Sequence, residues 1–385
     1  MYGRSVIRFE AMPDFMSDLA RLMLASSATF NARSLSTLYP YTKSEDVIVE
    51  RNRGWLKAYA REQAARAGFF RVSKPELQAQ QDALAAVAKW ADGLDHTYQL
   101  LADDYSRRIL VEVMAYRILG PARVRLSRNN DQYAAFYDAA KRMAVQERTA
   151  TIAMLDGWLD RYDLNALGYP VGADLHHLSV LYTFQLEQYR YKNAGTNIGP
   201  RANDVAIDGG ACWGDTALYF AHHVGEGGQV HTFEFSPDNL PILAKNLGGN
   251  PELGKRVKVQ EYALWSHSGE HLCFDPQGPA TRLDSRGSTS VETLSIDDLV
   301  SRESLPRVDF IKMDIEGAEP EALKGALATL QKFRPRLAVT LYHNLSDFVT
   351  IPRFLDELNL GYKFYIDHFS IKREETVMFA ESSPT

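Results

Sequence analysis

The sequence predicts an α/β chain: a doubly wound, mostly parallel sheet of the Rossmann-like kind, preceded by a mainly α-helical N-terminal domain. Three observations predict it. The texture of the chain changes near residue 195. Beyond that point short apolar runs alternate with amphipathic ones. The first of those runs ends in "VAIDGGACWGDT", residues 205–216, where an apolar strand meets three glycines at the door of a helix.

A chain of 385 residues is long for one core and suits two domains. With 45% hydrophobic and 24% charged residues it has the composition of an ordinary globular protein. The formal net charge of −6 offers no overall positive field to a phosphate backbone, so nucleic acid is disfavoured as a partner. Glu10, Asp14 and Asp18 interrupt what would have to be the apolar core of a signal peptide, and no later run reaches the length of a membrane span. Cys212 and Cys273 give neither a disulfide framework nor metal-ligand spacing. These features together fit a cytoplasmic protein.

Up to residue 195, "KPELQAQQDALAAVAKWADGL", "YSRRILVEVMAYRIL" and "DQYAAFYDAAKRMAVQERTATIAMLDGWLDRY" carry apolar residues at helical spacing. The expectation is a helical domain over residues 1–195, for substrate binding or homo-oligomerisation. Over 196–385, "VAID", "QVHTFEF", "VKVQEYAL", "VDFIKMDI", "RLAVTLY" and "YKFYIDHF" read as strands, with "DTALYFAHHV", "PDNLPILAKNL", "SIDDLVSRE", "EPEALKGALATLQKF" and "IPRFLDELNL" as helices between them. Ligands of such sheets sit at the C-terminal ends of the strands. The closing "ESSPT" reads as a frayed end.

Gly209, Gly210 and Gly214 let backbone approach a ligand closely, and a helix entered at Gly214 presents free N–H groups. Asp208 stands directly before the turn, where a carboxylate would repel a pyrophosphate. It suits a ligand carrying positive charge, and S-adenosylmethionine has both an ammonium and a sulfonium. Glu234, followed by Phe235 and Ser236, ends the next strand 26 residues later. That is near the separation of roughly 20 residues at which an acid meets ribose hydroxyls, a signal that would serve NAD equally. In "VDFIKMDIEGAEPEAL" a third strand runs into Asp314 and Glu316. Two carboxylates at a ligand-facing edge cost stability unless they bind something. They hold the cofactor, take a proton, ligate a divalent cation such as Mg²⁺, or simply complement the dipole of the helix that follows.

The ordered set "DGGACWGDTALYFA", "HTFEFSPDN", "SIDDL", "VDFIKMDIEGAEPEALKGA" and "LYHNLSDFVTIPRFLDEL" resembles the FkbM family of S-adenosylmethionine-dependent methyltransferases, over about residues 203–380. The resemblance implies a class I methyltransferase fold and O-methylation of a hydroxyl on a sugar, polysaccharide or polyketide-type product. It implies that Asp208, Gly209, Gly210, Gly214, Asp215 and Thr216 contact the methionine part of the cofactor. Glu234 then meets the ribose, while Ala263 and Leu264 flank the adenine. The family turn usually carries an asparagine where this chain has Ala211, Cys212 and Trp213.

Methyl transfer to a hydroxyl needs an aligned acceptor and a group to take its proton. His343, in "LYHNLSD", is the first expectation for that base, since an unperturbed imidazole pKa of about 6.5 leaves it mostly neutral at cytoplasmic pH. Asp314 or Glu316 is the second, directly or through Mg²⁺. The histidine pairs at 176–177 and 222–223 read as surface or helix-face residues, and "GPATRLDSRGSTS" as a substrate lid or an ordinary loop. The expected partner is a small-molecule or glycan hydroxyl. An RNA or protein methyltransferase and a non-catalytic scaffold are the rival readings.

Overall fold

The computed structural model describes residues 14–28 and 74–382, apart from 122, 153, 154, 156 and 284. The readings made of residues 1–13, of the stretch 29–73 and of the last three residues lie outside the described residues.

The chain forms two compact units, one reaching to Asn129 and including Ser370–Arg373, the other made of the rest. In the first unit, α1 (Asp14–Ala28), α2 (Lys74–Ala88), α3 (Ala91–Leu100) and α4 (Asp104–Leu119) follow the helical spacing of the sequence. Phe15, Leu19, Leu94, Leu110 and Met114 are wholly buried and form their common core. Asp103 caps α4 by accepting a hydrogen bond from Ser106 N at 2.8 Å. The Tyr98 hydroxyl donates to Asp18 Oδ2 at 2.6 Å.

The division falls at residue 129, not at 195, and Ala144–Thr151, Trp158–Asp163 and Gly172–Leu175 are strands rather than helix. After α5 (Asp131–Arg142) the chain builds an antiparallel sheet β1-β2-β3 from Ala144–Thr151, Trp158–Asp163 and Gly172–Leu175. Most of β1 is exposed and its register is irregular, so no two-residue alternation marks it as a strand in the sequence. What fixes this sheet is tertiary. Asn246 Oδ1 accepts from Asp174 N at 2.7 Å and Asn250 Oδ1 from Gly172 N at 2.9 Å, which ties β3 to the helix carrying Asn246. A helical turn, His177–Ser179, then runs into a π-helix, Val180–Gln185, and a short hairpin of β4 (Tyr191–Asn193) and β5 (Thr196–Ile198).

The remaining strands include β6 (Val205–Gly209), β7 (Gln229–Phe233), β8 (Val257–Gln260), β9 (Ala263–Leu264), β10 (His271–Phe274), β11 (Thr289–Leu294), β12 (Phe310–Met313), β13 (Arg336–Thr340), β14 (Tyr362–His368) and β15 (Thr376–Ser382). Seven of them form the central sheet in the order β14-β15-β13-β12-β6-β7-β8. β15 alone runs opposite to the other six. β6, β12 and β13 are buried at every residue, as strands covered on both faces must be, and this explains their largely apolar runs, in which Asp208, Lys312 and Arg336 are buried charges. Between them run α6 (Asp215–Val224), α7 (Leu240–Gly248), α8 (Ile296–Arg302), α9 (Glu319–Lys324), α10 (Leu327–Phe333) and α11 (Asp347–Glu357). The strand order reverses between β6 and β12, the place where a doubly wound sheet opens a crevice at its C-terminal edge. A small sheet of β10, β11 and β9 supplies a separate apolar cluster of Ala263, Phe274 and Val291, packed by Phe235 and Leu283. Among the described residues no helix is long and apolar enough to cross a membrane.

Candidate functional site

The turn between β6 and α6 is built around Gly210. Its φ is 83°, and a Cβ there would lie 2.0 Å from the carbonyl oxygen of Asp314, so only glycine lets β6 and β12 approach this closely. Gly210 N and Ala211 N both donate to Phe233 O, at 3.1 and 2.9 Å, which stitches the turn to the end of β7. Cys212 adopts a left-handed φ of 47°, a conformation that asparagine takes more readily than cysteine.

Asp208 does not present its charge to a ligand, which corrects the expectation drawn from its position. The side chain is wholly buried, with Oδ2 accepting from the Thr216 and Thr232 hydroxyls at 2.8 Å each. Its Oδ1 lies 3.2 Å from Lys312 Nζ on the neighbouring strand β12. The same ammonium donates to Gly209 O at 2.8 Å and Gly210 O at 2.6 Å. Asp208 and Lys312 therefore form a buried ion pair, each partner hydrogen-bonded to other groups of the turn and its neighbours, that clamps the glycine turn from below. Thr216 belongs to this clamp. Lys312 was not singled out in the sequence, although a lone lysine inside the apolar run "VDFIKMDI" was the signal for it.

Two cavities open above the turn and share Gly210, Cys212, Asp314 and Glu316. The first has an apolar wall of Phe235, Ala263, Leu264 and Leu283 and a polar side with Glu234 and Asn239. The Phe235 ring meets Phe274 edge-on, with centroids 4.9 Å apart. Glu234 Oε1 accepts from Phe235 N at 2.8 Å and from buried Ser236 N at 2.7 Å, while Oε2 accepts from Asn239 Nδ2 at 3.2 Å. Burial nevertheless pushes its pKa upward. Residues from "GPATRLDSRGSTS", among them Thr281 and Leu283, line the same cavity.

The second cavity receives Asp215, whose Oδ2 accepts from the Thr183 hydroxyl at 2.7 Å and whose pKa burial raises. His176 lines it too. It is 5% exposed and burial drives its pKa down to about 4, so it is not the surface residue expected. His222 and His223 sit on α6 among Tyr169 and Tyr219, as helix-face residues.

At the common wall, Asp314 Oδ2 accepts from the Tyr189 hydroxyl at 2.7 Å and Oδ1 from the Tyr342 hydroxyl at 3.0 Å. Behind Asp314, His343 Nδ1 lies 3.1 Å from Glu319 Oε1, and Nε2 lies 3.5 Å from both Asp314 Oδ1 and Glu316 Oε2. Burial favours the neutral imidazole, but Glu319, Asp314 and Glu316 outweigh it and hold the pKa at about 10. His343 thus stays protonated through the neutral range and lines neither cavity, so it is not the free base expected. Glu316 is differently placed. It lines both cavities on a backbone of φ 56°, and burial, reinforced by Asp314 and opposed by His343, raises its pKa to about 7. Ligand atoms of Asp314, Glu319 and His343 lie within 4.8 Å of one another, a grouping of the size a divalent cation uses, but a cation there would have to displace the His343 proton.

Residues 194–364 match the family described as the methyltransferase FkbM domain. A curated relative, the hexuronic acid methyltransferase AglP of Haloferax volcanii, is 34% identical over 136 residues, covering 34% of this chain and 54% of that protein. The chain therefore spans about half the length of the curated relative it matches. Among solved structures, methyltransferase FkbM from Methylobacillus flagellatus is similar at a TM-score of 0.49 and 19% identity, over 77% of this chain and 60% of that one. A SAM-dependent O-methyltransferase from Thermotoga maritima gives 0.31 and 13%, over 48% and 61%. The matched span carries the glycine turn, the residues common to both cavities and the strands β6 to β13 that position them.

Proposed function

We propose that the chain is an S-adenosylmethionine-dependent O-methyltransferase acting on a hydroxyl of a sugar or glycan. The observation that carries this reading is Glu316, a carboxyl poised near neutrality on the wall common to two cavities. The first cavity fits the nucleoside of the cofactor, because it offers aromatic and aliphatic walls for a base and the Glu234 carboxylate for ribose hydroxyls. The carboxylates of Asp215, Asp314 and Glu316 make the passage between the cavities attractive to positive charge. S-adenosylmethionine, when bound, supplies an electrophilic methyl group on a sulfonium.

The chain's own residues do the rest. Glu316 takes the proton of an acceptor hydroxyl standing in the second cavity. Asp314, held by two tyrosine hydroxyls, stays fixed beside it and adds negative potential. Protonated His343 orients both acids from behind and keeps part of Glu316 ionised at neutral pH. The hexuronic acid methyltransferase relative supports a sugar as the acceptor class. Incubation of the full chain with isotope-labelled S-adenosylmethionine and candidate glycans, read by intact mass, tests the proposal. Transfer of label to a sugar oxygen is expected, and transfer to nitrogen, to RNA or to nothing would contradict it.

A further inference from the structure

Resting on that reading, we infer that the second cavity is the acceptor site, that its selective wall is built from segments outside the FkbM domain, and that it takes an uncharged polyol ring and turns away a uronate or a phosphorylated sugar.

The two cavities differ in where their walls come from. Every residue lining the first lies between Gly210 and Ala318, inside the matched domain. The second is closed on its far side by the segment running from His176 to Tyr189, together with Glu375, which precede and follow that domain. A cofactor cavity made by the matched domain and a neighbouring cavity closed by segments outside it is the division expected when one fold serves different acceptors. The segment is also shaped for the task. The π-helix Val180–Gln185 turns Tyr182 and Thr183 to the cavity, and the Thr183 bond to Asp215 pins it to the start of α6. Glu375 holds a left-handed φ of 72°, a strain of the kind retained at working positions, and its Oε2 accepts from Gln188 Nε2 at 2.6 Å.

The lining suits hydroxyls. Tyr182, Tyr189 and Tyr342 offer flat faces for the C–H side of a ring, and Gln188, Glu375 and Ser179 offer polar groups to its rim. Charge decides the class. Four acids, Asp215, Asp314, Glu316 and Glu375, line the cavity. Among the described residues, the cationic side chain that lines it is Lys312, already bound to Asp208 and to two carbonyls of the glycine turn. His176 is held neutral by burial. An acceptor carrying a carboxylate or phosphate would enter against like charge with no uncommitted cation to receive it.

The experiment uses the full chain saturated with S-adenosylhomocysteine at pH 9, above the values of about 7 for Glu316 and about 8 for Glu375 so that both are ionised, and compares methyl β-D-glucoside with sodium glucuronate by saturation-transfer NMR titration. The glucoside should bind at least tenfold more tightly. Glu375→Gln removes one acid and Ser179→Lys adds one cation; each should narrow that ratio at least threefold, in variants whose melting curves match the parent and whose S-adenosylhomocysteine affinity stays within twofold. Equal or tighter glucuronate binding, no detectable glucoside binding, or a ratio unmoved in both variants would overturn the inference. Failure of S-adenosylhomocysteine itself to bind would instead overturn the methyltransferase reading on which it rests.

Discussion

His343 and Glu319 form a buried pair, with Nδ1 3.1 Å from Oε1 and Glu319 wholly excluded from solvent. The imidazolium is the counter-charge for three acids, and its removal strands them. His343→Ala is therefore expected to destabilise the chain by about 3–5 kcal/mol, the usual consequence of breaking a buried ion pair. Thermal melts of parent and variant at pH 7 check this. An unchanged melting temperature with lost turnover would restore His343 as a catalytic base.

The same pair sets a pH limb. The folded value of about 10 for His343 stands above its ordinary 6.5, so its stabilising contribution is complete below pH 6.5 and lost as pH climbs through 10. Glu375, raised to about 8 by burial and Asp314, adds a fall in stability between its ordinary 4.5 and that value. Melting temperature should accordingly decline from pH 7 to pH 10. A plateau across that range would mean that the imidazole is not held protonated.

If Glu316 takes the proton, it must be ionised to act, so turnover should rise as pH climbs through about 7. Glu316→Gln should lower turnover by about 10²–10⁴-fold, the ordinary share of general base catalysis. Cofactor affinity should stay within a few-fold. A flat profile from pH 6 to 8 or a fully active variant would assign the proton to water or Asp314.

Much of this was legible in the sequence, for identifiable reasons. The β6 turn could be read because Gly210 must take a positive φ against Asp314 O, and the central strands because burial on both faces keeps most of their residues apolar. Lys312 breaks that rule and so marked the Asp208 clamp, but a pairing across strands is invisible to spacing alone. The sheet β1-β2-β3 was hidden because its first strand is exposed and it is fixed by Asn246 and Asn250, some 70 residues away. The charge of His343 was hidden for the same reason: three acids reach it from a loop and a helix start that only the fold brings behind it.

Glu234 carries a dual load. Glu234→Ala removes the acceptor for Phe235 N, Ser236 N and Asn239 Nδ2 as well as the group facing a ribose. Cofactor affinity should weaken by about 2–3 kcal/mol, as for lost bonds to a charged group, and the melting temperature should fall with it. Calorimetry paired with melts would separate the two effects, and an unaltered affinity would leave Glu234 as a staple of its own loop.

The central claim is that the first cavity receives S-adenosylmethionine, and calorimetric titration of the full chain tests it most directly. Binding in the micromolar range, about −8 kcal/mol, is predicted for S-adenosylmethionine or its demethylated product, with no measurable heat from NAD. Tight NAD binding with no response to S-adenosylmethionine would contradict the account.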